Sequence, residues 1–165
     1  YPVELVESEL PLQVLRYGLV PDSGGAGRQR GGLAAVREFK FLSDKAQFTL
    51  RTDRRSHPPY GIAGGSPGGP SANTWLHAGL EDALPTMPMQ SFAARRGDVV
   101  RLVSAGGGGY GSACQRDPQA VLDDVLEARV SVNRARELYR VAIDARSGTI
   151  DTDETRALRH DHDRK

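Results

Sequence analysis

Few side chains in this 165-residue sequence stand together in a way that suggests chemistry. Those that do are arginines, one histidine and runs of glycine. The densest polar group is Asp53-Arg54-Arg55-Ser56-His57, followed at once by Pro58-Pro59. Guanidinium groups on a proline-stiffened loop are suited to clamp a carboxylate or phosphate, and a histidine beside them can serve as acid or base near neutral pH. Arg54 and Arg55 are therefore candidate anion-binding residues, and His57 is the candidate catalytic group. The alternative is a surface loop in which one arginine pairs with Asp53; the sequence names no partner for His57.

A second candidate is Pro21 to Leu42, PDSGGAGRQRGGLAAVREFKFL, where five glycines surround Arg28 and Arg30. A phosphate loop would need Lys and then Ser or Thr after its last glycine, but Gly32 is followed by Leu33-Ala34. The dinucleotide fingerprint needs a helix there, whereas apolar/charged alternation predicts a strand. What is left is backbone amides with Arg28 or Arg30 holding an anion, or a wide turn with solvated arginines. A single Arg-Gly-Gly copy without repeats does not make an RNA-binding tract.

The third glycine run, GGGGYG, places Gly106, Gly107, Gly108 and Gly109 directly after an apolar stretch. Four consecutive glycines lose much backbone freedom on ordering, so something must compensate. Close approach of a ligand or of another chain segment would do so, which makes all four candidate substrate- or anion-binding positions. A flexible hinge is the alternative.

Other classes of chemistry find no support. Cys114 is the single cysteine, so no intrachain disulfide forms and an intracellular, cytoplasmic location is the simplest fit. His160 and His162 lie beside Asp161 and Asp163 in a charged end, and no metal set is expected. With 22 basic against 21 acidic residues, neither nucleic acid nor a membrane surface is an expected partner. No window approaches the ~18 apolar residues of a membrane span, and no leader is evident. The start, YPVEL, suggests a fragment, a processed product or a trimmed chain.

The elements that must position these groups point to an α+β fold. A β-rich body of antiparallel strands with long Gly-rich loops is expected over 1–115, and a small helical tail over 116–165, packed on the same domain. Val3 to Val6 fits a helix or a strand, stopped by Pro11. Strands are expected at Leu12–Tyr17, Leu33–Leu42, Ala46–Thr52, Thr74–His77 and Val99–Val103, with the second and third forming a hairpin across Ser43-Asp44-Lys45. Asp117-Pro118 and Ser131 read as starts of two helices. Val141–Asp144 reads as a short strand, and Asp151 with Glu154 begins a last helix to about Leu158.

Taken in order, YPVELVESELPLQVLRYGLVPDSGGAGRQRGGLAAVREFKFL, DRRSHPPYGIAGGSPGGPS, RRGDVVRL, and GGGGYG with RDPQAVLDDVLEARVS resemble the C-terminal part of the hydantoinase B/oxoprolinase family. The resemblance runs from Tyr1 to about Asp144. It implies part of an ATP-dependent hydrolase of small cyclic amides such as hydantoins or 5-oxoproline, working with a hydantoinase A-type ATPase subunit that phosphorylates the substrate. It also implies that the N-terminal part of the same subunit is a partner of this region, since family members run to several hundred residues. ATP and a divalent metal are implied for the complex, with none bound by this fragment. Related acetone and acetophenone carboxylases carry a similar subunit, so an assembly module of such a complex, or a stand-alone anion-binding β domain, is the alternative. The sequence departs from the family at Ser112-Ala113-Cys114, where Asp-Pro is usual, and between Leu84 and Met89, where Pro-Ser-Lys is usual.

Overall fold

The computed structural model describes residues 2–87 and 91–162, with side chains to residue 160; part of the Leu84–Met89 departure lies outside them, as do Asp163 and the side chains of Asp161 and His162. Five antiparallel strands, helices and short ladders make the chain α+β. Two compact units emerge. One comprises Tyr1–Leu19, Ala35–His57 and Pro70–Ala105; the other comprises Val20–Ala34, Pro58–Gly69 and Gly106–Lys165. The units interleave along the chain, and residues 115 and 116 both fall in the second.

The first unit begins with helix α1 (Val3–Glu9), which ends where Leu10 turns extended ahead of Pro11. Strands β1 (Leu12–Leu19), β2 (Ala35–Phe41), β3 (Ala46–Phe48), β4 (Ala72–His77), β5 (Leu80–Ala83), β6 (Phe92–Ala94) and β7 (Val99–Val103) follow. The main sheet has the order β1-β2-β7-β4-β5. Its register sets Phe39, Val100 and Trp75 in one cross-strand row and Arg37, Leu102 and Asn73 in the next. Side chains alternate faces along a strand, so both rows share one face with Phe41. Buried Phe41, Leu50, Leu84, Ala94 and Val100 form the core there. The β4–β5 hairpin closes through Ala78 and Gly79, both at positive φ (49° and 80°), as a two-residue hairpin turn requires.

The expected hairpin between Leu33–Leu42 and Ala46–Thr52 does not form. Both edges of β2 are taken, by β1 and by β7, and β3 pairs with β6 in a separate two-stranded ladder. Aromatic packing accounts for the choice. Phe48 stacks on Phe92 with centroids 5.1 Å apart and meets Trp75 edge-on at 5.7 Å.

The second unit is built on glycine. Gly106–Gly109 runs as a central thread among the other two glycine segments. The side of Gly106 where a Cβ would sit faces Ser23, that of Gly107 faces Gly31 and Gly32, that of Gly108 faces Tyr60, and that of Gly109 faces Ala26. Backbone bonds tie the threads: Gly25 N donates to Gly107 O (2.8 Å), Gly107 N to Gly32 O (2.8 Å), Gly106 N to Gly69 O (2.9 Å) and Gly109 N to Ser66 O (2.9 Å). The three glycine runs are one another's partners.

Helices α2 (Pro118–Leu126) and α3 (Val132–Tyr139), the hairpin β8 (Ala142–Asp144) and β9 (Thr149–Asp151), and helix α4 (Thr152–His162) complete this unit. Asp117 and Ser131 cap α2 and α3 by accepting from Gln119 N and Arg134 N. Asp151 Oδ1 accepts from Glu154 N at 2.9 Å. Ala26 of the glycine segment is buried with Val121, Val130, Ala135, Tyr139 and Val141, so the threads and the helices share one core.

Candidate functional site

The charged centre of the second unit is Asp124, whose side chain is only 4% exposed. Helix α2 turns it inward because it lies one turn after Val121, whose side chain is in the core. Arg30 reaches it from the first glycine segment with two bonds, Nε to Oδ2 and Nη2 to Oδ1, each 3.0 Å. Arg30 Nη1 donates to Gly31 O at 2.7 Å, so all three guanidinium nitrogens are engaged. Arg116 Nη2 donates to Asp124 Oδ2 at 2.8 Å and its Nη1 to Arg28 O at 3.2 Å. Arg129 lies 3.7 Å from Oδ1.

Burial by itself would push the Asp124 carboxyl up. The hydrogen bonds and charges of Arg30 and Arg116 outweigh it and hold the carboxyl below its ordinary value. Tyr139 nearby is pushed up, chiefly by burial. Asp124 and Arg116 were not singled out from sequence. The available signal was an acid at helical spacing from Val121 in an otherwise apolar stripe.

The other candidates lie as follows. Arg28 is exposed and its amide donates to Gly111 O at 3.2 Å. Gly106–Gly109 form the central thread. Arg54, Arg55 and His57 belong to the first unit, whereas Arg30 belongs to the second. Arg54 is exposed, at φ 59°. Arg55 is half-buried and donates from Nη1 to Leu84 O at 2.5 Å, while its Nη2 is buried without a partner. The Arg54 carbonyl accepts from Ser71 N at 3.2 Å, and Ser71 Oγ bonds Asp53 O, so the loop's backbone is tied down. His57 is exposed. Among the described residues no three of His, Cys, Asp and Glu converge to hold a metal, and no helix is long and apolar enough to cross a membrane.

A five-stranded antiparallel sheet and a glycine-threaded, helix-backed unit define the class of this chain structurally. Comparison with known proteins names it: the model of the hydantoinase B/oxoprolinase family matches residues 1–113, and the chain belongs to that family. The chain is 34% identical to the beta subunit of the caprolactamase of Pseudomonas jessenii, over 97% of this chain and 28% of that protein. It is 32% identical to the B-type subunit of a putative D-/L-hydantoinase from a Pseudomonas species, over 96% of this chain and 26% of that protein. The crystal structure of the ATP-dependent caprolactamase from Pseudomonas jessenii superposes with a TM-score of 0.78 at 30% identity, covering 96% of this chain and 28% of that one. The chain thus spans little more than a quarter of each of these relatives.

Proposed function

We propose that this chain serves an ATP-dependent hydrolase of small cyclic amides, working with a hydantoinase A-type ATPase subunit and with the further part of its own subunit that the relatives possess. The observation that carries the reading is the match along nearly the whole chain to subunits named for hydantoin and caprolactam hydrolysis. ATP would be used by the partner, making a poor amide-derived leaving oxygen a good one. The divalent metal implied for the complex would, in this reading, be held outside this chain.

A second reading is favoured by what the side chains are doing. Arg30 and Arg116 both bond Asp124, although Arg116 Nε is buried without a partner, and the glycine amides bond to neighbouring threads. This region would then supply a rigid scaffold, with Arg54 and His57 of the first unit as exposed groups available to a substrate, and Arg28 exposed separately on the second. Coexpression of the intact protein with an A-type ATPase subunit, followed by assays on hydantoins, 5-oxoproline and caprolactam, tests the first reading. Ring opening of at least one is expected; no turnover of any would sink it. Loss of assembly rather than of turnover on substituting Arg54 and His57 would favour the scaffold.

A further inference from the structure

The core face of the five-stranded sheet carries two cavities of different character that share a wall. One cavity, of about 320 Å³, is walled by Leu12, Phe39, Phe41, Phe48 and Val100. Leu50 and Leu102 line both this cavity and a second of about 320 Å³, whose polar wall is Arg37, Arg51, Thr52, Asn73 and Ser104. Neither lining contains an Asp or a Glu. Among the described residues no carboxylate pairs with Arg51 or Arg37. Arg37 lies instead over the Tyr17 ring, 4.9 Å from its centroid. Asn73 is 3% exposed, and its Nδ2 has no hydrogen-bond partner.

We propose that these two cavities together bind a small amphiphilic monoanion, with its carboxylate at Arg51 and Asn73 and its apolar tail over Phe39, Phe41 and Phe48. A buried amide left without an acceptor is costly, and a carboxylate relieves that cost. The excess of cationic over anionic groups at the polar end selects an anion. The apolar wall rewards a tail for each methylene it removes from water. Cavities of this size are in the range that holds small ligands. The inference is independent of the ring-opening reaction, since it uses none of Arg28, Arg30, Arg54, Arg55 or His57.

The test is calorimetric titration of the intact protein with octanoate, octan-1-ol and octyl phosphate. Octanoate is expected to bind about tenfold more tightly than octan-1-ol, the effect of one charge-assisted bond. Arg51→Ala and Asn73→Leu should each weaken octanoate about tenfold and leave octan-1-ol unchanged. Arg51 is exposed, so its variant keeps the wild-type melting temperature. Octanoate binding absent or no tighter than octan-1-ol, octanoate affinity unchanged in both variants, or tighter binding of octyl phosphate would each overturn the assignment.

Discussion

Arg30 holds Asp124 through two nitrogens at 3.0 Å across 94 positions of sequence, fastening the first glycine segment to helix α2. Arg116 grips the same carboxylate from the segment before that helix. Removing the charge leaves two guanidinium groups facing a neutral amide. Asp124→Asn is expected to cost about 3 kcal/mol, the scale for breaking a buried ion pair by losing one partner. Urea unfolding of the intact protein checks it. A change under about 1 kcal/mol would mean the cluster is solvated rather than structural.

The same carboxyl sets a pH dependence. Its folded-state value lies below the ordinary 3.8, so its stabilising contribution is fully present above that value. The contribution is lost as pH falls through the lowered folded-state value. Glu154 and Asp144 are also lowered, but both are exposed and remain in the variant. The stability difference between wild type and Asp124→Asn should therefore be constant from neutral pH to about 4 and shrink below it. An unchanged difference at pH 2 would contradict this.

Neighbouring glycines give a sharper test of the threaded packing. A Cβ on Gly31 would collide with the Gly107 carbonyl, whereas one on Gly32 meets nothing within 4 Å, and neither residue has positive φ. Gly31→Ala is expected to destabilise by more than about 2 kcal/mol, because the obstacle is backbone that cannot rotate away. Gly32→Ala should stay within about 0.5 kcal/mol of wild type or gain slightly from the stiffer unfolded chain. Thermal melting of the two variants side by side distinguishes them.

Arg55 and its loop neighbours should separate in the same way. Arg55→Ala removes the bond to the carbonyl of Leu84, itself 2% exposed, and should cost about 1–2 kcal/mol. Arg54→Ala and His57→Ala alter exposed side chains and should leave the melting temperature unchanged. Turnover lost in either of these with assembly and stability intact would place that side chain at the substrate.

Where local chemistry decided the structure, the sequence was readable. Val99–Val103 forms a strand with the expected limits, and Asp117, Ser131 and Asp151 cap the expected helices. The β2–β3 hairpin failed because β1 and β7 occupy the edges of β2 and Phe92 draws Phe48 elsewhere, which adjacency and a good turn could not offset. The glycine threads were visible as composition, yet their mutual pairing was not, since bonds between glycine backbones leave no side-chain pattern. Asp124 was hidden because its partner Arg30 is so distant in sequence.

The most direct test of the proposed activity is the coupling of nucleotide hydrolysis to ring opening. The intact protein and its ATPase partner are incubated with each cyclic amide and ATP, and ADP and ring-opened acid are quantified together. The proposal predicts both products from at least one substrate, with ring opening lost when ATP or this protein is omitted. ADP formation with no ring-opened acid from any substrate would contradict it.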